Sequence, residues 1–302
     1  MQSGLIFDVK KYAINDGPGI RVTIFFKGCP LHCAWCHNPE SISSRVQKMY
    51  NRDKCIGCNS CVEVCPETAC KLTSDGIVTD PERCTSCGKC ADICPTKATE
   101  MSGRVATVDE LVEIIEKERI FFEQSGGGVT ISGGEPLLQS DFLIALLDEL
   151  GLRSIHRTVD TTGFAKSEIL LKVAKRTELF LYDLKMMDPL RHKKWTGVDN
   201  EHILKNLQLL AETGASINIR IPLVKGVNDD DANIEQTAAF VASLAGQKKK
   251  VNILPYHNIA ANKYLKLGET YDSSGMAEPS EEEQANVIAK FANFGLEAVV
   301  GG

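Results

Sequence analysis

Twelve cysteines crowd into the first third of a 302-residue chain, and none follows Cys94. Thiols at two- and three-residue spacings suit zinc or iron–sulfur clusters, whereas a disulfide framework belongs to an oxidising compartment. The first residues, Met1-Gln2-Ser3-Gly4, carry neither the basic start nor the apolar run of a secretion signal. No stretch approaches about 18 consecutive apolar residues, so no membrane span is expected. The expectation is therefore a cytoplasmic protein whose thiols hold metal or clusters.

Two of the runs are copies of each other. Cys55-Ile-Gly-Cys58-Asn-Ser-Cys61-Val-Glu-Val-Cys65-Pro66 and Cys84-Thr-Ser-Cys87-Gly-Lys-Cys90-Ala-Asp-Ile-Cys94-Pro95 both read C-x₂-C-x₂-C-x₃-C-P. That is the bacterial two-cluster ferredoxin run, in which three thiolates grip one cubane and the fourth crosses to the other. The expected ligand sets are Cys55, Cys58, Cys61 and Cys94 for one [4Fe-4S] cluster, and Cys84, Cys87, Cys90 and Cys65 for the second. Zinc ribbons need only two C-x₂-C knuckles and no proline, which makes zinc the weaker reading. Cys70 fits neither run and is expected to be a small buried hydrophobe.

The remaining group is Cys29-Pro-Leu-His-Cys33-Ala-Trp-Cys36, spaced C-x₃-C-x₂-C with no evident fourth cysteine. Three thiolates on a four-iron cluster leave one iron open, and an open position is what a catalytic metal site keeps. The competing, purely structural reading has His32 or His37 as a fourth ligand. Cysteine thiolate is the usual cluster ligand, which favours the open iron.

The rest of the chain must hold these groups in place. Residues 1–48 read as the first part of a catalytic domain, 49–100 as an insert with nine of the twelve cysteines, and 101–302 as the remainder. From about residue 101, strand-like runs alternate with helix-like ones, as in βα units around a parallel sheet. Strands are expected at 20–26, 128–132, 157–160, 179–184, 216–222 and 251–256, with a short run at 5–9 before them and 296–300 as a closing strand. Thr107 with Glu110 reads as a capping box opening a helix to about Glu123. Further helices are expected from Ser140, Ser167, Asn200, Ala232 and Ser280. Six strands are too few for an eight-stranded barrel. The expected fold is a partial (β/α)6 barrel with an inserted two-[4Fe-4S] ferredoxin domain, and a doubly wound open sheet is the alternative.

In (β/α) barrels the chemistry lies at the C-terminal ends of the strands. The polar motifs fall there in order: 29–36, Ser132-Gly133-Gly134-Glu135-Pro136, Asp160-Thr161-Thr162-Gly163, Asp183-Leu184-Lys185, Arg220 and Pro255-Tyr256-His257. Paired glycines let backbone approach a ligand closely, or simply make a tight βα turn. Arg220 stands in a strand otherwise apolar at Ile217, Ile219 and Ile221, so it must meet a partner or solvent. His156, His192 and His202 read as surface positions.

Asp16-Gly17-Pro18-Gly19-Ile20-Arg21, Phe25, Gly28-Cys29, Cys33 and Trp35-Cys36-His37-Asn38-Pro39-Glu40 together resemble the radical S-adenosylmethionine (SAM) enzymes that activate glycyl radical enzymes. The three-cysteine group alone would indicate only the radical SAM superfamily; the flanking segments narrow it to the activases. The two-cluster insert further resembles the branch serving dehydratases, decarboxylases and C–N or C–S lyases, since activases of pyruvate formate-lyase usually lack it. The resemblance spans essentially the whole chain.

What the resemblance implies is specific. Cys29, Cys33 and Cys36 would hold a third [4Fe-4S] cluster whose open iron takes SAM. One-electron cleavage would give methionine and a 5′-deoxyadenosyl radical, which removes a Cα hydrogen from a glycine of the partner. Trp35, Cys36 and His37 would line SAM, Gly134 would meet its amino group, and Lys185, beside Asp183 and Leu184, would pair with its carboxylate. Arg220 and His257 match residues near it, and Asp160 with Asp183 match aspartates that hold a monovalent cation, Na⁺ or K⁺. In one departure, Ala260-Ala261-Asn262 precede Lys263-Tyr264 where the family often has a glycine, which bears on partner docking more than on radical chemistry.

The implied partners are a glycyl radical enzyme, whose glycine loop is the substrate, and reduced flavodoxin or ferredoxin as electron donor. The insert would either relay those electrons or dock the partner. A net charge of −6 gives no basic field for nucleic acid. A monomer leaves the glycine loop the freest access, and open-iron chemistry implies oxygen sensitivity and an anaerobic setting. Two other classes compete: a radical SAM enzyme acting on a small molecule, and a three-cluster electron carrier. The Asp-Gly-x-Gly-x-Arg segment speaks against the first and the three-cysteine group against the second.

Overall fold

The computed structural model describes residues 2–301. Its strands in chain order are β1 (Ser3–Ala13), β2 (Arg21–Phe26), β3 (Gln47–Tyr50), β4 (Cys70–Thr73), β5 (Gly76–Thr79), β6 (Thr99–Ser102), β7 (Arg104–Thr107), β8 (Gly128–Gly133), β9 (His156–Thr161), β10 (Leu179–Asp183), β11 (Ile217–Leu223), β12 (Lys250–Pro255) and β13 (Glu297–Val300). Nine of them form one sheet, ordered β13-β12-β11-β10-β9-β8-β2-β1-β7. From β2 to β13 the neighbours run parallel and follow chain order, while β1 pairs antiparallel with both β2 and β7. A doubly wound sheet reverses its strand order at a switch point. This one does not, and with β7 and β13 at its two ends it is an open, partial barrel.

The parallel strands β2 and β8–β11 are covered on both faces, so their two alternating sets of side chains have different jobs. Val22, Ile24, Val129, Ile131, Phe180, Tyr182, Ile219, Ile221 and Ile253 join Leu111, Leu146, Leu207 and Phe291 from the surrounding helices in one core. Burying side chains of this size is worth about 1.5–3 kcal/mol each. The intervening residues, among them Thr23, Thr130, Ser132, Thr158, Asp160, Asp183 and Arg220, take the opposite, inner face. A polar barrel interior is the feature the site exploits.

The segment 16–21 closes the interior from below. Arg21 is fully buried and donates to Thr130 Oγ1 at 2.7 Å, Val129 O at 2.6 Å, Thr158 Oγ1 at 2.9 Å and Pro18 O at 2.9 Å. Burial lowers its pKa to about 10, partly offset by Asp16. Gly19 is held at φ +67°, and a Cβ there would stand 2.5 Å from Gly127 N, so backbone geometry dictates glycine.

Differences from the expected elements have local causes. The helix opened by Thr107 divides into Val108–Glu116 and Arg119–Ser125, because Glu118 leaves the helix and its carboxylate is drawn to Lys11 Nζ at 2.7 Å. Asn200 does not cap Glu201–Glu212; its amide donates instead to Met186 O and Met187 O. His192 is buried rather than exposed, with Nδ1 2.6 Å from Val198 O. Two short helices, Pro189–Thr196 and Ala261–Leu267, add to the expected set.

In the cysteine-rich segment β3 pairs antiparallel with β6, and β4 with β5. Two single-turn helices, Ser60–Glu63 and Lys89–Asp92, follow Asn59 and Gly88, both left-handed at φ 67° and 83°. The two runs thus fold alike. No helix among the described residues is long and apolar enough to cross a membrane.

Candidate active site and cluster cavities

The loop after β2 is clamped on two sides. Gly28 N and Cys29 N donate to Ser41 O and Ile42 O, and Glu135 N donates to Gly28 O at 2.8 Å. On the far side His32 N and Ala34 N donate to Thr196 O and Trp195 O. The helix Pro189–Thr196 therefore positions the cysteine loop. Its sequence lacks an apolar period, but Asp188-Pro189 before it and Gly197 after it are start and stop signals.

So held, Cys29, Cys33 and Cys36 line one cavity of about 210 Å³ at the C-terminal ends of the strands. Trp35, His37, Gly134, Asp183, Lys185 and Tyr256 line the same cavity. Burial pushes the three thiols up, Cys36 to about 12, so in the bare protein they are neutral. Iron coordination deprotonates a thiol outright, which makes this a metal-dependent thiolate site. Among the described residues no three His, Cys, Asp or Glu side chains converge as on a single ion. A cubane, which takes one thiolate per iron corner, suits the three cysteines better.

Lys185 brings the opposite charge. Its Nζ stands 2.8 Å from Asp183 Oδ2. Burial disfavours its charge, but the Asp183 carboxylate beside it more than compensates, so it is a firmly held ammonium. A cation at the rim of a thiolate cluster is complementary to a ligand carboxylate. Leu184, by contrast, packs in the helix-side core, and only its backbone N, donating to Arg220 O, belongs to this layer.

Asp160 and Arg220 flank this pair: Arg220 stands in register beside Asp183, and Asp160 beside Leu181. Asp160 Oδ2 accepts from Ser132 Oγ at 2.7 Å and lies 3.4 Å from Arg220 Nη1. Burial raises the Asp160 carboxyl to about 6, Arg220 opposes that, and Asp183 adds repulsion. Arg220 Nε is buried without a partner, and the side chain lines a second cavity of about 260 Å³ with Asn15, Gly17 and Asn252. Each aspartate thus has its own cationic neighbour, Lys185 for Asp183 and Arg220 for Asp160.

His257 is not brought into the cavity. Its imidazole is 56% exposed and faces Glu278 at 3.6 Å; Tyr256 forms the wall instead. The His257 carbonyl accepts from His37 Nε2 at 3.2 Å, which occupies that nitrogen, and His32 is exposed.

Two supporting residues went unread in the sequence. Glu135, buried, accepts from Thr161 Oγ1 at 2.6 Å, Thr162 N at 2.9 Å, Thr162 Oγ1 at 2.5 Å and Leu137 N at 3.1 Å, tying the glycine turn to the end of β9. Lys263 Nζ reaches Asn38 Oδ1 and Glu40 Oε1. Both tethers join residues far apart in the chain, a relation no local spacing encodes.

The insert forms two further cavities. Cys55, Cys58, Cys61 and Cys94 line one. Cys65, Cys84, Cys87 and Cys90 line the other. Cys70 is buried, as expected of a small hydrophobe, yet it also lines the second cavity and lies 3.2 Å from Lys48 Nζ.

The sequence matches the model of the radical SAM superfamily over residues 81–238, a 4Fe-4S dicluster domain over 54–98 and a 4Fe-4S single cluster domain over 15–67. A radical SAM methyltransferase from Sphaerobacter thermophilus shares the fold at TM-score 0.57 and 15% identity, over 98% of this chain and 76% of that one. The family match, on this fold, therefore defines a radical SAM enzyme. Among curated relatives, the trans-4-hydroxy-L-proline dehydratase activating enzyme of Clostridioides difficile is 46% identical over 99% of both chains. The choline trimethylamine-lyase activating enzyme of Oleidesulfovibrio alaskensis is 39% identical over 95% of this chain and 94% of that one. A domain of a pyruvate-formate lyase-activating enzyme from Bacteroides vulgatus is 43% identical at TM-score 0.51, covering 58% of this chain and 99% of that one. The chain belongs to the glycyl radical enzyme activating enzymes, and its reaction is reductive SAM cleavage to generate a glycyl radical on a partner.

Proposed function

We propose that Cys29, Cys33 and Cys36 carry the SAM-binding [4Fe-4S] cluster and that residues 49–100 carry two more, on Cys55, Cys58, Cys61 and Cys94 and on Cys65, Cys84, Cys87 and Cys90. The observation that carries this reading is the single cavity shared by three thiols and the Lys185–Asp183 pair. When bound, the cluster and SAM supply the electron and the 5′-deoxyadenosyl radical that takes a glycine Cα hydrogen. The chain's residues do the positioning. Lys185 fixes the ligand carboxylate, the backbone at Gly134 admits its amino group, and Trp35, His37 and Tyr256 exclude water. Cys36 and its neighbours bind, whereas Leu184 contributes backbone and His257 acts from the rim through its carbonyl.

Asp160 and Asp183 hold a monovalent cation, Na⁺ or K⁺: burial chiefly raises the Asp160 carboxyl and Asp183 adds repulsion, and a cation between the two acids would relieve both. Arg220 completes this layer from below. The enzyme works as a cytoplasmic monomer, with reduced flavodoxin or ferredoxin as donor. Its partner is a glycyl radical enzyme, and a hydroxyproline dehydratase is the first to test, given the 46% identical relative.

Anaerobic reconstitution with iron and sulfide counting tests the cluster set. Three [4Fe-4S] clusters require about twelve irons per chain, and Cys29→Ala with Cys33→Ala and Cys36→Ala should remove about four. A count that ignores those substitutions contradicts the assignment.

A further inference from the structure

β3 presents Lys48 and Tyr50 two residues apart, on one face of the strand. Each addresses a different cluster cavity. Lys48 lines that of Cys65, Cys84, Cys87 and Cys90, and Tyr50 lines that of Cys55, Cys58, Cys61 and Cys94. Strand β5 fixes both: Lys48 Nζ donates to Thr79 Oγ1 at 2.7 Å, and Tyr50 Oη accepts from Ile77 N at 3.0 Å. Lys48 is half-buried and lies 3.2 Å from Cys70 Sγ, against the wall of its cavity. The other charged residues lining that cavity, Glu67 and Lys89, are exposed and of opposite sign. The Tyr50 cavity is lined by no charged side chain; Lys48 reaches its Cys61 through space, as it does Cys90, but touches the wall of its own cavity alone.

This asymmetry has an electrical consequence. A [4Fe-4S] cluster gains one negative charge on reduction, so a fixed cation beside it stabilises the reduced form, and cluster potential follows local charge. An exposed ion is screened by salt, but a half-buried ammonium anchored by a hydroxyl is screened much less.

We propose that Lys48 is a positioning residue that makes the Cys65/Cys84/Cys87/Cys90 cluster the higher-potential member of the pair, so that an electron delivered to the insert rests there. The proposal rests on both cavities holding [4Fe-4S] clusters. The step is a one-electron transfer: an external ferredoxin- or flavodoxin-type reductant is oxidised, the cluster is reduced, and no bond or proton moves. Cys84 and Ser86 of the favoured site line a cavity with Leu265, Lys266, Leu267 and Gly268, which Tyr50 and Ile77 of the other site also border, so Cys84 is the cluster cysteine that meets this helix. The same helix, Ala261–Leu267, reaches Asn38 and Glu40 beside Cys36 through Lys263.

Potentiometric titration of the reconstituted holoenzyme, followed by electron paramagnetic resonance, reads the two potentials, with Cys58→Ser and Cys87→Ser assigning the signals. In Lys48→Gln the reduced-to-oxidised ratio of the Cys87-containing cluster should fall about tenfold at fixed potential, 59 mV for one electron. The Cys58-containing cluster should move far less. Lys48→Arg should keep the wild-type ratio, and Thr79→Val, which frees the ammonium, should give part of the fall. Equal movement of both clusters, or a Lys48→Arg shift as large as that of Lys48→Gln, overturns the proposal. A full iron count with neither potential moved by Lys48→Gln overturns it alone, whereas wild-type iron for the SAM-binding cluster only overturns the cluster reading as well.

Discussion

Lys263 Nζ stands 2.7 Å from Glu40 Oε1 across 223 residues of sequence, and it also donates to Asn38 Oδ1 at 2.6 Å. The contact fastens the helix Ala261–Leu267 to the segment that follows Cys36. Glu40 is 10% exposed at its side chain and its Oε2 has no partner, so Lys263, together with the buried Lys27 ammonium, makes its burial tolerable. Removing one partner of a buried pair costs about 3–5 kcal/mol. Lys263 itself is 39% exposed, so screening reduces this to about 1–3 kcal/mol for Lys263→Met. Thermal unfolding should register that loss, and iron retained by the three-cysteine loop should fall while the insert keeps its own. An unchanged melting curve and iron count would argue that the tether is ornamental.

Gly134 is constrained by the backbone packed against it. A Cβ there would lie 2.2 Å from Gly28 O and 2.9 Å from Ser41 O, both main-chain atoms that cannot swing aside. Gly134→Ala should therefore push the Cys29 loop outward, at about 1–3 kcal/mol for overpacking. Loss of SAM cleavage with the insert's resonance signals unchanged is the expected pattern. Full activity would show that the turn is looser than this packing requires.

The pH response should come through Asp160. Its carboxyl rises from 3.8 to about 6, chiefly through burial, with Arg220 opposing and Asp183 adding repulsion. A carboxyl whose folded pKa lies above the unfolded value binds its proton more tightly when folded. Its stabilisation is thus complete below about pH 4 and lost as pH rises through about 6. Comparing wild type with Asp160→Asn isolates this group: the wild type should lose stability relative to the variant between about pH 4 and 6, then hold a constant difference. Na⁺ or K⁺ at neutral pH should recover part of the wild-type loss and leave the variant unmoved. Parallel curves for the two proteins would count against both the raised carboxyl and the cation.

The insert's role can be separated by the source of electrons. Cys87→Ala should cut turnover with a protein reductant far more than with a small chemical one if the insert relays electrons. Equal losses with both would assign it to docking instead.

The parallel strands β2 and β8–β12 were legible because covered strands read as apolar runs, as in Leu179-Phe180-Leu181-Tyr182, or as apolar alternation, as in 217–221, and each ends in a polar motif. The four-residue strands β3, β4, β5, β6 and β7 carry no such run, and the helix Pro189–Thr196 is mostly polar and held by its ends. Gly134, Asp183 and Lys185 were found where the strand-end register put them. His257 was not, because the end of β12 turns Tyr256 inward and the imidazole toward Glu278. Lys48 and Lys263 were invisible for another reason: their partners are brought close only by the folded insert and the final helices.

The most direct measurement is product analysis after anaerobic reconstitution, strong reduction and addition of SAM. Wild-type enzyme should release 5′-deoxyadenosine and methionine together, and Cys33→Ala should release neither while keeping the insert's clusters. Three intact clusters without cleavage in the wild type, or cleavage surviving in Cys33→Ala, would contradict a SAM-binding cluster on Cys29, Cys33 and Cys36.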